Sequence, residues 1–139
     1  MSGKFLFVYG TLMRGSQRAM AKRLRQQARF VGQASMPGRL YALGSYPGAV
    51  VSEGPREKIH GEVFEISGAP AALLDQLDRY ESCAEGQPRP HPYERVVAKV
   101  RLANGRDLMA LTYLYRLPVA HLRPIPGGRW RGKPSGLRH

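Results

Sequence analysis

Apolar and polar positions follow two different periods along this chain, and the periods divide it into strands and helices. Phe5-Leu6-Phe7-Val8-Tyr9 is an unbroken apolar run, which predicts a strand buried on both faces. Period-two alternation is clearest from Tyr93 to Ala103, where Val96, Ala98, Val100 and Leu102 fall on one side and Arg95, Val97, Lys99 and Arg101 on the other. Asn104-Gly105 follows, a strong hairpin signal, and Leu108 to Tyr115 returns as the partner strand. Shorter extended pieces are expected at Phe30–Ala34, in Met36–Tyr41 after a Pro37-Gly38 turn, and in Ser45–Val51, where Pro47-Gly48 punctuates. Lys58–Ile66 reads as a strand whose Gly61 weakens it unless something packs close to the backbone there.

Helical spacing appears twice. Met20, Leu24 and Ala28 recur on one face of a helix expected over 17–28, with Ser16 as N-cap. A second helix starts from Ser67-Gly68-Ala69-Pro70, with Pro70 in the first turn, and runs to about Tyr80. Residues 52–57 form a polar turn, 82–92 a long loop with three prolines suited to lining a site, and Val119–Leu122 a short helical piece at most. Trp130 is a candidate anchor for the segment before it. Many short strands with two helices, and a hairpin rather than repeated βαβ units, predict an α+β fold: a small mixed β-barrel or curled sheet with flanking helices. The expected organisation is one domain over 1–130 and a basic tail over 131–139.

Composition narrows the chemistry. Cys83 is the only cysteine, which excludes an internal disulfide framework and multi-cysteine metal sites and suits a reducing cytoplasm. His60 has no second ligand at metal spacing, so no metal or cofactor is expected. The N-terminal apolar run is too short for a signal peptide, and no stretch has the length of a membrane span. Net charge is +12, and nearly all of the excess lies in 14–29 and 123–139, segments without a single acid. Such segments attract polyanions without sequence preference; nucleic acid is therefore a possible partner, although the aromatics that stack bases are missing apart from Phe30 and Trp130 at the edges.

Two features carry candidate chemistry. Gly10 opens the first strand into a loop, Tyr9-Gly10-Thr11-Leu12, in conformations that a residue with a Cβ would resist. Free N–H groups in such loops bind anions such as a substrate carboxylate. The second is Glu81. At about 100° per residue, with Leu73 at zero, Leu77 falls at about 40°, Tyr80 at about −20° and Leu74 at about 100°. Glu81 falls at about 80°, inside the apolar arc, whereas Asp75 at about 200° faces solvent and Asp78 at about 140° marks the edge. A carboxylate on the buried side has a raised pKa, which suits a general base or acid near neutral pH.

The same segments resemble the gamma-glutamylcyclotransferase-like family. Tyr9-Gly10-Thr11-Leu12 is similar to its Tyr-Gly-Ser/Thr-Leu loop, and Leu74-Asp75-Gln76-Leu77-Asp78-Arg79-Tyr80-Glu81 to its Leu-Asp-x-x-x-x-Tyr/Phe-Glu segment. Pro37–Tyr41, Tyr46-Pro47-Gly48, His60–Ile66, Tyr93-Glu94-Arg95, Tyr113-Leu114-Tyr115 and Ile125–Trp130 continue the pattern in order over roughly 5–130, closest to the gamma-glutamylamine cyclotransferases and their bacterial relatives. Ser82 stands where the family usually has Gly, Arg129 where Asp is common, and the 82–92 loop is longer than usual. The resemblance implies a barrel-like fold and release of 5-oxoproline and a free amine from a gamma-glutamyl amine or amino acid. It implies Glu81 as proton acceptor and donor, and Tyr9, Gly10, Thr11, Leu12 and Tyr113 as substrate contacts, without a cofactor. A basic, non-catalytic module of the same fold that binds RNA or another polyanion is the alternative. The leaving amine and the oligomeric state stay open.

Overall fold

The computed structural model describes residues 4–51, 57–68 and 70–131. Among these residues the elements run β1 (Lys4–Val8), α1 (Ala19–Gln27), β2 (Ala28–Pro37), β3 (Arg39–Ala42), β4 (Pro47–Val50), β5 (Lys58–Ile66), α2 (Pro70–Tyr80), β6 (Tyr93–Leu102), β7 (Asp107–Tyr115) and β8 (Arg123–Pro124). Five strands close into a barrel in the order β1-β5-β2-β6-β7, while β4-β3-β8 form a separate three-stranded sheet. All pairs are antiparallel except β1 with β7, which meet in parallel at Leu6 and Leu111. The expected α+β class and mixed barrel with flanking helices are what the chain adopts.

The unbroken apolar run of β1 follows from its position. Leu6 and Val8 pack with Leu24, Leu73 and Leu77 under the helices, and Phe7 packs with Val63, Val100 and Leu114 on the other side. Each such side chain fully removed from water contributes about 1.5–3 kcal/mol. Gly61 has the reason that its strand required: a Cβ there would run into the Val8 carbonyl oxygen and lie 2.9 Å from the Phe7 ring. The hairpin pairs Tyr93 with Tyr115 through to Arg101 with Asp107, and in its turn the Arg106 N–H donates to Asn104 Oδ1 at 2.9 Å.

Several expectations are corrected. α1 begins at Ala19 rather than 17; Arg18 occupies its N-cap without a side-chain cap, and Ser16 only accepts the Arg18 N–H from outside the helix. The helix passes into β2 without a loop, because Ala28 is already extended at φ −140° and ψ 152°. β2 is ten residues long instead of the five expected, since pairing with β5 from Ile66 to Lys58 recruits flanking residues of no clear pattern. Pro47 begins an edge strand rather than punctuating one. Val119 to Leu122 forms a single turn, closed by the Leu122 N–H on the Val119 carbonyl, and no helix. Trp130 packs against the barrel core as an anchor would. Apart from Glu57 and Arg131, the polar turn over 52–57 and the tail over 131–139 lie outside the described residues, as does Ala69 at the start of α2.

The basic face is less open than its charge suggests. Arg14 lies over the Phe30 ring at 3.5 Å, Arg23 donates to Gln76, Arg25 to the carbonyls of Arg14 and Ser16, and Arg29 to Glu65. Among the described residues no helix is long and apolar enough to cross a membrane.

Candidate active site

β1 ends at Val8, opposite Glu62 of β5, and the chain leaves the barrel rim as Tyr9-Gly10-Thr11-Leu12. Tyr9 fixes this loop from below. Its buried hydroxyl donates to the Tyr113 carbonyl at 2.5 Å and accepts the Ala49 N–H at 3.3 Å. Gly10 is required for space rather than for an unusual φ: a Cβ would lie 2.6 Å from Pro47 Cγ. The Met13 N–H donates to the Gly10 carbonyl at 3.1 Å and tightens the turn. Among the described residues, the N–H groups of Gly10, Thr11 and Leu12 have no hydrogen-bond partner. Leu12 itself is buried beneath the helices.

The other wall is the end of α2. The helix closes in a Schellman motif: the Cys83 N–H bonds the Asp78 carbonyl at 2.9 Å and the Ser82 N–H bonds the Arg79 carbonyl at 3.1 Å. Ser82 occupies the left-handed position of that motif, φ 63°, where glycine is usual. Glu81 is the C-cap. Its N–H still donates to Leu77 at 2.9 Å, so the helical phase that places it beside the leucine arc holds to the end. Tyr80, one residue earlier, shares a 2.7 Å hydrogen bond with Thr11 Oγ1 and joins the helix to the loop.

These two walls enclose a cavity of about 180 Å³. Glu81, Tyr9, Gly10, Thr11, Leu12 and Tyr113, all six of the positions expected from sequence, line it together. The Glu81 carboxyl has no hydrogen-bond or ion-pair partner among the described residues. Burial pushes its carboxyl from the usual range up to about 7. Its place at the negative end of the α2 dipole works in the same direction. The group therefore exchanges a proton near neutrality, as a general acid or base must.

Tyr113 reaches the cavity as a bracket. Its hydroxyl donates to Asp78 Oδ1 at 2.6 Å, and Arg95 lies 3.2 Å from the same oxygen. Asp78 is thus half-buried and tied to β6 and β7, which holds the last turn of α2, and with it Glu81, at a fixed height. Sequence reasoning placed Asp78 at the helix edge and missed this partner, because nothing local in a sequence pairs residues 35 apart. It also missed Tyr93, whose hydroxyl donates to the Pro47 carbonyl at 2.6 Å and whose ring packs edge-on against Tyr46 and Tyr115. Burial, and next the charge of Glu81, raises the pKa of both Tyr9 and Tyr93, so both stay neutral donors. Cys83, beside the site, is pushed up to about 11, first by burial and then by Asp78 and Glu81; it stays a thiol and is no nucleophile near neutral pH. Ser82 and Pro92, the two ends of the 82–92 loop, line the cavity as well. His60 lies elsewhere, and burial, Arg129 and Lys58 lower its pKa. Among the described residues no three His, Cys, Asp or Glu side chains gather as metal ligands.

Comparison with known proteins gives this arrangement a family. Residues 6–132 match the model of the family described as gamma-glutamyl cyclotransferase, AIG2-like. The gamma-glutamylcyclotransferase family protein YtfP of Escherichia coli is 33% identical over 128 residues, which cover 90% of this chain and 94% of YtfP. The solution structure of YtfP superposes with a TM-score of 0.60 over 91% of this chain and 95% of that one. A mouse AIG2-like protein shares the fold at 20% identity, with a TM-score of 0.66 over 96% and 97%. YkqA of Bacillus subtilis, 26% identical with a TM-score of 0.67, is longer: 94% of this chain matches 40% of it. With the family model spanning nearly its whole length, the chain belongs to the gamma-glutamyl cyclotransferase, AIG2-like family.

Proposed function

We propose that this protein is a gamma-glutamyl cyclotransferase that releases 5-oxoproline and a free amine from a gamma-glutamyl compound, with Glu81 moving the proton. One observation carries the reading: Glu81 faces the cavity without a protein partner, titrates near 7, and shares that cavity with the Tyr9–Leu12 loop. Family membership supplies the reaction type.

The steps follow from the groups present. The amides of Gly10, Thr11 and Leu12 hold the substrate's alpha-carboxylate and the oxygen of the gamma-carbonyl, on which negative charge develops. Glu81 accepts a proton from the alpha-ammonium group, whose solution pKa is about 8, close enough for transfer in either direction. The freed amine attacks the gamma-carbonyl carbon of its own molecule and closes the five-membered ring. The bond from that carbon to the leaving nitrogen then breaks as the proton on Glu81 goes to the departing amine, and the freed carboxylate takes the second proton from the ring nitrogen and passes it to that amine, which leaves as an ammonium ion. Atoms and charge balance without a cofactor. The cavity contributes most by holding the chain folded back on itself, since near-attack geometry can supply several kcal/mol or more.

A screen of gamma-glutamyl amines, dipeptides and isopeptides for 5-oxoproline release tests the reading. Release from at least one class, absent in Glu81→Gln, is expected. No release from any of them would overturn it.

A further inference from the structure

A second hollow, of about 680 Å³, adjoins the cavity that holds Glu81, and the two share Gly10, Thr11 and Arg18 as lining. Arg18 and Glu81 are the only formally charged side chains among the described residues that line the smaller cavity. In the larger hollow the acid is Glu62, already engaged by Arg14 through its backbone N–H at 2.8 Å and its guanidinium at 3.4 Å. The cations there are Arg18 and Arg131.

Arg18 differs from most of the arginines around it. Arg14, Arg29, Arg39, Arg79, Arg95, Arg101 and Arg116 each lie against a carboxylate. The guanidinium of Arg18 has none among the described residues; its partner is the Ser45 carbonyl at 3.3 Å, and the side chain is exposed. A planar guanidinium with unused donors, at the junction of two hollows, is built to take a carboxylate side-on.

On the cyclotransferase reading above, the gamma-glutamyl half folds back in the small cavity beside Glu81, and the leaving amine points outward past Gly10 and Thr11. We propose that this amine occupies the larger hollow and carries a carboxylate bound by Arg18. The substrate is then a gamma-glutamyl amino acid or peptide, not a gamma-glutamyl derivative of a neutral or cationic amine. Arg18 sets specificity, and the chemistry stays with Glu81.

The test compares gamma-glutamylalanine with gamma-glutamylethylamide, which differ only by the carboxylate on the leaving amine. The readout is the ratio of their kcat/KM values for 5-oxoproline release. The wild type should favour gamma-glutamylalanine by about tenfold, the worth of one charge-assisted contact. Arg18→Gln should bring the ratio toward one, and Arg18→Glu should shift preference toward gamma-glutamyl-ethylenediamine, whose leaving amine carries a cation. Arg23→Gln removes the same charge from the exposed side of α1, away from both hollows, and should keep the wild-type ratio. Circular dichroism and thermal melts check that each variant is folded. A wild-type ratio near one overturns the proposal. So does an equal loss on both substrates in Arg18→Gln, which would put Arg18 on the glutamyl half. A wild type inactive on both would remove the cyclotransferase reading and this proposal with it, a result distinct from the other two.

Discussion

Two glutamates sit at the same rim of the barrel, and they have opposite fates. Glu62 is the more enclosed, with 7% of its surface exposed. It stands on β5, accepts the Arg14 N–H and faces the Arg14 guanidinium, and so its charge is matched. Glu81 stands at the end of α2, its carboxyl has no hydrogen-bond or ion-pair partner among the described residues, and burial pushes that group up to about 7. Burial alone therefore does not free a carboxylate to exchange its proton near neutrality in this fold. Glu81 differs in standing at the wall of a cavity without an ion pair: Arg95 is committed to Asp78 and Arg14 to Glu62, and Arg18, the cation that lines the same cavity, bonds the Ser45 carbonyl instead.

The comparison breaks most visibly at Glu81. Glu81→Gln keeps shape and loses the proton acceptor, so turnover should fall by about 10²–10⁴-fold in a protein that still folds. In the wild type, kcat/KM should rise with pH through about 7, as the carboxylate loses its proton. Stability should move the other way. The folded-state pKa is raised, so the native protein holds more protons than the unfolded chain between the ordinary glutamate value of 4.5 and about 7. Stability therefore declines as pH rises through that window, and the penalty persists above it. At pH 8 Glu81→Gln should be the more stable protein, by up to roughly 3 kcal/mol, and at pH 4 the difference should vanish. Urea titrations at the two pH values measure it; a Gln variant with wild-type turnover would end the assignment.

Next in size is the matched pair. Arg14→Ala leaves the Glu62 carboxylate with the backbone N–H alone, and should cost about 1–2 kcal/mol; the Arg14 side chain is exposed enough for solvent to screen part of the loss. Glu62→Gln should cost less than Arg14→Ala, because it removes the charge together with its need for a partner. The reverse order in chemical denaturation would mean that Glu62 is not held as described. Smallest is the cap that presents Glu81. Ser82→Gly relieves a left-handed residue and should raise the unfolding free energy by about 0.5–1 kcal/mol, read as a few degrees in a thermal melt.

Local pattern carried a good part of this molecule. The β1 run, the Tyr93–Tyr115 hairpin and the phase of Glu81 on α2 are each visible within a dozen residues, since periodicity and turn chemistry act at short range. The ordered motifs of the family located the loop that faces Glu81. What stayed illegible depends on contacts across the chain. Nothing near Asp78 announces Tyr113, and nothing near Pro47 announces Tyr93 or the close approach of Gly10. The Ser16 cap failed because a good capping residue only offers a start, and the chain entered α1 two residues later with Arg18 in the capping position. The strand at Phe30–Ala34 was drawn too short for a similar reason: its outer residues are held by β5 and not by their own pattern.

One feature of the barrel also governs how the molecule comes into being. The first strand finds its partners late: Val8 pairs with Glu62, and Leu6 meets Leu111 only after most of the chain is available. A polypeptide emerging from a ribosome therefore exposes Phe5–Tyr9 long before anything can cover it, and the ring closes only when β7 arrives. Contacts of such sequence separation slow folding toward the millisecond-to-second range typical of barrels, whatever the final stability. Stopped-flow refolding measures that rate. The cavity beside Glu81 is lined from the first strand and its loop, the end of α2 and Tyr113 of β7, so its walls are complete only when both ends of the barrel's sequence have come together.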